Sequence, residues 1–180
     1  MSTYCEIASG HPYHGPYHET EYGFPVESES VLFERLTLEI FQAGLSWLIV
    51  LKKRQGLNIA FNNFDVDQVA SFTQLDIDRL RNDSSIIRNR LKIEATIYNA
   101  KSIASIRRSH GGFANWLFQK KTLNREDWSK VFKQNFKFVG EKVVGEFLMS
   151  IGYLEGAHHE NCPVYNSIKA LGPVWFKNKI

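Results

Sequence analysis

Cysteine is scarce in this chain. Only two of its 180 residues are cysteine, which excludes the dense disulfide framework of small secreted domains. The longest apolar stretch, residues 45–51, contains Ser46 and is far shorter than the ~20 residues that span a bilayer. The first residues also lack the charged and apolar regions of a signal peptide. We therefore predict a reduced, cytoplasmic protein that does not act at a membrane.

No single sign of charge dominates the composition. The formal net charge is +3, and the 23% of charged and 43% of hydrophobic residues are ordinary globular values. The length suits one domain spanning 1–180. We divide it into an irregular arm at 1–29, a helical body at 30–152 and a tail at 153–180. Clusters of Lys and Arg would suit a phosphate backbone if they share one face, and are otherwise solvated surface.

Strand patterns are missing as well. Apolar residues recur instead at helical spacing, and Gly44 provides a natural end to the first such stretch. Ser46, Asp65 and Thr73 are placed to cap three of the following helices. The pattern predicts an all-α fold with helices at 31–43, 47–54, 66–71, 74–81, 86–108, 113–118, 125–134 and 141–151.

The two cysteines lie near opposite ends of the chain, and each has a histidine in its neighbourhood. Cys5 precedes His18, and His158 precedes Cys162 at an H-x3-C spacing. Two thiolates and two imidazoles are the ligands of a common structural zinc site, which here would tie the arm to the tail. The spacing alone leaves two alternatives open: two free, buried cysteines, or a disulfide between Cys5 and Cys162.

Glu39 is a carboxylate inside the most apolar predicted helix. Burying it without a partner would cost free energy or raise its pKa, although the periodicity also allows it to face solvent. Four aromatic residues concentrate on either side of it in the sequence: Tyr13, Tyr17, Tyr22 and Trp47. With a carboxylate, such rings suit a flat, cationic ligand; the alternative is that they fill the core.

Four segments carry more specific information. They lie at 17–23, 38–47, 86–93 and 136–140, and they read YHETEYG, LEIFQAGLSW, IIRNRLKI and FKFVG. These segments resemble blocks of the bacterial DNA-3-methyladenine glycosylase I family. The similarity runs in order over about residues 4–163, nearly the whole chain. The second and fourth blocks are the most specific.

The resemblance implies an all-α, helix-hairpin-helix DNA glycosylase fold in which zinc holds the N- and C-terminal segments together. It assigns Cys5, His18, His158 and Cys162 as ligands of one structural zinc ion per chain. It also implies base-excision repair: the enzyme flips 3-methyladenine out of alkylated double-stranded DNA and hydrolyses the N-glycosidic bond. We expect a monofunctional, monomeric enzyme without a lyase step.

The same resemblance assigns roles around the flipped base. Glu39 is the catalytic candidate, because it would accept hydrogen bonds from the cationic base and favour its charge. Tyr17 would contact the base, Trp47 would stack on it, and Tyr22 would form one wall of the pocket. The comparison does not identify the residue that activates the attacking water. Glu39 is a candidate, although binding the base and activating water are different tasks.

The resemblance assigns a second group of residues to the DNA. Gly44 and Leu45 follow the break after the first long helix, and Leu45 would fill the gap that the flipped base leaves in the duplex. Arg88, Arg90 and Lys92 would contact phosphates.

Three positions depart from the family pattern. Tyr22 stands where the family usually has Trp, and Ser85 and Leu91 stand where the hairpin usually has Gly, which allows close approach to a phosphate. Two alternatives therefore stay open. One is a non-catalytic, zinc-held module that binds damaged DNA, and the other is a related glycosylase with shifted lesion specificity.

Overall fold

The computed structural model describes residues 3–178, and the regular structure in that range is helical, which confirms the all-α prediction. None of these helices is long and apolar enough to cross a membrane. A short 3₁₀ turn lies at Asn62–Phe64. The α-helices within 3–178 are α1 (Tyr4–Ala8), α2 (His14–Thr20), α3 (Glu29–Gln42), α4 (Trp47–Ala60), α5 (Val66–Ala70), α6 (Gln74–Asn82), α7 (Arg90–His110), α8 (Phe113–Phe118), α9 (Arg125–Asn135), α10 (Glu141–Ser150), α11 (Tyr165–Ala170) and α12 (Val174–Lys177).

Helix α3 is the central helix of the core. Its residues 32–41 are all buried, and it packs against both α4 and α10. A helix that is covered on every side has no solvent-facing stripe, so even its polar residues enter the interior. The helix ends where predicted, because Gly44 adopts a positive φ of 81° that few other residues accept.

The N-terminal arm differs from the irregular segment that we predicted, because it contains α1 and α2. Thr3 and Glu6 form a capping box at the start of α1, in which the Thr3 N–H donates to the Glu6 carboxylate over 2.8 Å. Hydrophobic periodicity is read over windows of about 11–18 residues. Both helices are shorter than such a window, so the apolar pattern gave no signal for them.

Ion pairs connect the arm to the helical body. Glu21, which follows α2, accepts hydrogen bonds from Arg35 of α3 and from Arg54 of α4, each over 2.7 Å. Arg54 also pairs with Glu34 over 2.8 Å. Burial opposes ionisation of Glu34, but the hydrogen bonds and charge of Arg54 overcome it and hold the pKa of that carboxyl below its usual value. The network therefore fixes the arm against two core helices.

Helix α7 begins at Arg90, later than the predicted start at Ile86. The chain between α6 and α7 forms a polar turn instead, in which the Asp83 carboxylate accepts from the N–H and the hydroxyl of Ser85 over 2.8 and 2.6 Å. Asn89 then caps α7. Such local side-chain bonds compete with helix formation, which explains why the apolar pattern misplaced this boundary.

Helix α4 packs closely against this turn. It runs beyond its predicted end at Arg54, and its Lys53 ammonium donates to the Ser84 carbonyl over 2.6 Å. Gly56 faces the turn so closely that a Cβ atom there would overlap the Ser85 carbonyl. The remaining predicted helices are observed close to their predicted bounds.

Candidate functional site

The arm and three helices of the body enclose a cavity of about 280 Å³. This volume lies near the lower end of the ~300–1,000 Å³ of sites for drug-sized ligands, so it suits a single small ring system. The four residues assigned to the base pocket from the sequence all line it. The lining residues are Tyr4, Tyr17, Tyr22, Glu39, Gln42, Trp47, Lys142 and Glu146.

Aromatic rings form one wall of this cavity. The ring centroid of Tyr17 lies 5.1 Å from that of Trp47 and 5.7 Å from that of Tyr22. Tyr13, which the sequence grouped with these rings, does not join them. It is 46% exposed, and the Lys52 ammonium lies 5.6 Å from its ring centroid. Helix α2 places Tyr17 inward, whereas Tyr13 precedes that helix at the surface.

Glu39 lines the cavity although the residue is only 5% exposed, so the alternative that it faces solvent is wrong. Burial, with a further contribution from the charge of Glu146, raises the pKa of the Glu39 carboxyl to about 8. The charges of Arg35 and Lys142 oppose this rise. A cation in the cavity would stabilise the ionised form, since an opposite charge nearby favours ionisation.

The hydroxyl of Tyr17 is buried and has no hydrogen-bond partner among residues 3–178. Buried polar groups in native proteins are nearly always hydrogen-bonded, and those that are not often mark a functional site. Burial also raises the pKa of this phenol well above its usual range, so the hydroxyl keeps its proton. It is therefore available to hydrogen-bond a ligand in the cavity.

A second cavity of about 520 Å³ lies beside the turn between α3 and α4. Gly44 and Leu45 line it, and Leu45 is 38% exposed. We call the 280 Å³ cavity the aromatic cavity and the 520 Å³ cavity the outer cavity. Four residues line both, so the two cavities meet at the side chains of these residues. These shared residues are Glu39, Gln42, Lys142 and Glu146.

The three predicted phosphate contacts do not share one environment. Arg88 and Arg90 are exposed in the turn before α7 and at its start. Lys92 is 4% exposed, and its ammonium donates to the carbonyls of Phe41 and Ala43 over 2.8 and 2.6 Å. The expectation that Lys92 contacts phosphate is therefore corrected. Its cation satisfies the last carbonyls of α3, as basic groups at helix C-termini do.

The structure brings together Cys5, His18, His158 and Cys162, with one ligand atom of each within 4.8 Å of the others. Both cysteines are free thiols, so the disulfide alternative is not formed. His158 Nδ1 lies 3.8 Å from Cys5 Sγ and 3.4 Å from Cys162 Sγ, and His18 Nε2 lies 3.6 Å from Cys162 Sγ. Tetrahedral zinc bonds of about 2.3 Å to sulfur and 2.0–2.1 Å to nitrogen separate S and N by about 3.6 Å. The residues present thus fit a zinc ion.

The surroundings of the two histidines agree with a role as metal ligands. His158 Nε2 lies 2.7 Å from the Tyr22 carbonyl, to which it donates, and this leaves Nδ1 free of a proton for a metal. Burial lowers the pKa of both His18 and His158, which favours the neutral imidazole that a metal requires. The adjacent His159 is exposed and is not one of the four clustered residues.

Sequence reasoning missed several residues of the cavity. Gln42 stood inside the most specific block but received no role, and Tyr4 lay in the arm beside a metal ligand. Lys142 and Glu146 come from α10, far away in sequence. A signal for Glu146 existed, because it is a carboxylate within the otherwise apolar stretch at 143–149.

Solved structures define the class of this fold and site. A point variant of 3-methyladenine DNA glycosylase I, crystallised in complex with 3-methyladenine, superimposes with a TM-score of 0.83 at 31% identity over 91% of this chain and 97% of that chain. The 3-methyladenine DNA glycosylase I of Staphylococcus aureus gives 0.82 at 32% identity, over 89% and 95%. The molecule therefore has the architecture of a helical DNA glycosylase.

Sequence relatives narrow the class to one family. The DNA-3-methyladenine glycosylase of Haemophilus influenzae is 33% identical over 93% of this chain and 100% of that protein. DNA-3-methyladenine glycosylase 1 of Escherichia coli is 35% identical, over 89% and 96%. The family model for methyladenine glycosylase matches residues 7–133. The chain belongs to the methyladenine glycosylase family.

Proposed function

We propose that this chain is a monofunctional DNA glycosylase that hydrolyses the N-glycosidic bond of 3-methyladenine in alkylated double-stranded DNA. One observation carries the proposal: the buried carboxylate of Glu39 shares an aromatic cavity with the Tyr17 hydroxyl, which has no hydrogen-bond partner within the described part of the chain. The relatives described above are named for this activity, and one was crystallised with the excised base. The reaction belongs to base-excision repair.

The cavity chemistry suits a cationic base. Methylation at N3 gives the base a positive charge while it is attached to the sugar, and a carboxylate such as Glu39 stabilises that charge most strongly where water is excluded. Trp47 offers a ring on which the base can stack, and cation–π attraction adds to the stacking. The Tyr17 hydroxyl would complete the contacts as a hydrogen-bond partner. Because the charged base is already a good leaving group, these residues need only bind and position it.

The outer surface suits a duplex with one base turned out of the stack. Gly44 and Leu45 lie at the exposed turn beside the cavity, where Leu45 would occupy the space that the base vacates. We assign α6, the turn after it and α7 as the helix-hairpin-helix element, with Arg88 and Arg90 as its exposed phosphate contacts. Ser85 and Leu91 are exposed there and replace the usual glycines, so we expect weaker backbone contacts to phosphate than in the family pattern.

The cluster of Cys5, His18, His158 and Cys162 would hold one structural zinc ion. A zinc ion with four protein ligands supplies a cross-link and has no open position for water. The cross-link would fasten the arm, and with it Tyr17, to the tail. A monomeric state and a cytoplasmic location remain predictions from the sequence.

Release of free base tests the proposed activity. Duplex DNA treated with a methylating agent should release 3-methyladenine when incubated with the chain, as detected by chromatography of the soluble bases. Glu39→Gln should lose most of the release, while Glu141→Gln, an exposed substitution of the same kind, should retain it. Tight binding to methylated DNA without release of base by the unaltered chain would refute the proposal and support the non-catalytic binding module. Release of a different methylated base would support a shifted lesion specificity.

A further inference from the structure

The carboxylate of Glu146 occupies a distinctive place beside the aromatic cavity. It lies on α10, is only partly exposed, and lines both the aromatic cavity and the outer cavity. The aromatic cavity would receive the base and the outer cavity adjoins the exposed turn at Gly44. In the proposed reaction we expect the N-glycosidic bond to lie where the two cavities meet. The residues shared by the two cavities are therefore those nearest to the bond that breaks.

One hydrogen bond holds this carboxylate in position, and a lysine lies one turn away on the same helix. The Tyr22 hydroxyl donates a hydrogen bond to Glu146 Oε2 over 3.3 Å. Lys142, one turn earlier on α10, lines both cavities as well and supplies a positive charge near the two carboxylates. Glu39 and Glu146 line the same two cavities, and the charge of Glu146 contributes to the raised pKa of Glu39. Glu146 is thus a positioned group at the site and more than a solvated surface charge.

The two carboxylates lie in different environments. Glu39 lines both cavities as well, but it is only 5% exposed and lies among apolar residues of α3. Glu146 is more exposed and also lines the larger outer cavity, through which water can enter. A carboxylate that accepts hydrogen bonds from the cationic base is a weaker base towards the water that attacks the sugar. The difference in exposure therefore favours Glu39 as the partner of the base and Glu146 as the partner of the water.

We propose that Glu146 is the general base of the reaction: it orients the attacking water and accepts its proton. This inference rests on the proposed glycosylase activity. The bond between C1′ of the sugar and N9 breaks, and its electron pair neutralises the cationic base. The water oxygen forms a bond to C1′, and the proton that the water loses passes to the Glu146 carboxylate. Base, sugar and proton are thereby all accounted for, and no other reactant is required.

Two variants of Glu146 separate this role from a structural one. Glu146→Gln keeps an oxygen that can accept the Tyr22 hydrogen bond, but it cannot take a proton. Glu146→Ala leaves a space that a small carboxylate can enter. The matched control is Glu141→Gln, an exposed substitution of the same type on the same helix and outside both cavities. Excision is measured in single turnovers with excess protein on duplexes containing 3-methyladenine, and binding of free 3-methyladenine is measured separately by calorimetry.

We expect Glu146→Gln to slow excision by about 10²-fold, at the lower end of general-base effects because the leaving group is labile. Affinity for the free base should stay within about twofold of the unaltered chain, and added formate, but not chloride, should restore part of the activity of Glu146→Ala. A rate for Glu146→Gln equal to that of Glu141→Gln, while the unaltered chain excises normally, would overturn this inference alone. So would a loss of base affinity that accounts for the whole effect. If the unaltered chain releases no base, the proposed function fails and this inference fails with it.

Discussion

Replacing Glu39 by glutamine should stabilise the fold while it removes the base-binding carboxylate. The usual pKa of 4.5 rises to about 8 in the folded chain, mainly because burial disfavours the charged form. At about 1.4 kcal/mol for each pH unit between those values, the full effect on the free energy of unfolding is about 5 kcal/mol. Water entering the cavity reduces the cost of the buried charge, so we expect 2–4 kcal/mol, on the order of the effective penalties seen in real proteins.

The stability of the unaltered protein falls as the pH rises, because the folded chain holds the Glu39 proton to a higher pH than the unfolded chain does. Below about pH 4.5 the side chain is neutral in the folded and unfolded states, and its protonated form contributes its full stability. As the pH rises from 4.5 towards 8, the unfolded chain releases the proton while the folded chain retains it, so the unaltered protein loses stability. Above about pH 8 the loss is complete. Glu39→Gln lacks this titration, so its advantage should grow across the same window.

Urea denaturation of both proteins at several pH values across this window measures the difference directly, with circular dichroism and tryptophan fluorescence as probes. The cluster of Cys5, His18, His158 and Cys162 is common to both proteins, so its own pH dependence cancels in the comparison. Glu146→Gln should reduce the pH dependence of the unaltered chain, because the charge of Glu146 contributes to the raised pKa of Glu39. A stability difference between the unaltered chain and Glu39→Gln that stays constant across the window would refute the reasoning.

Three other features of the structure lead to predictions. Gly56→Ala gains about 1 kcal/mol of helix propensity. However, its methyl group overlaps the Ser85 carbonyl, so we expect a net loss of about 1–3 kcal/mol in urea denaturation; an unchanged midpoint would contradict the close packing of α4. Elemental analysis should find about one zinc per chain, and chelation should lower the melting temperature, whereas a metal-free chain of equal stability would exclude the metal site. Arg90→Ala should weaken binding to any duplex and reduce the slope of log K against log salt concentration by about one, which DNA titrations at several salt concentrations would measure. Lys92→Ala should instead destabilise the fold, which thermal denaturation would measure.

The sequence predicted the helical body because its apolar periodicity and capping residues agree with the tertiary structure. Asp65 and Thr73 begin helices as expected, and Gly44 ends α3. The periodicity around Glu39 was ambiguous for a physical reason: α3 is covered on all sides, so no polar stripe shows which way a residue points. Only the packing of α4 and α10 around it decides that the carboxylate is enclosed.

Long-range packing explains what sequence reasoning missed. Lys92 looked like one of a group of exposed cations, yet the packing of α7 against α3 brings its ammonium to the carbonyls at the end of α3. Glu146 belongs to a short helix whose apolar residues gave no reason to associate it with Glu39. Its role depends on the contact between α10 and α3, which no local pattern encodes. The sequence pattern singled out Glu39 and the resemblance to a family gave it a role, but neither pointed to the second carboxylate.

Tyr22 connects the cluster of two cysteines and two histidines to the carboxylate of Glu146. Its carbonyl accepts the hydrogen bond from His158 Nε2, and its hydroxyl donates to Glu146. From the sequence, Tyr in place of the family's usual Trp indicated only that one wall of the pocket is altered. The structure gives the change a different meaning, because a phenol extends a hydroxyl donor beyond its ring whereas the indole N–H lies on the ring edge. With Tyr at this position the wall has a smaller ring but gains a hydroxyl that hydrogen-bonds Glu146. The same residue therefore forms the pocket wall and positions the proposed general base.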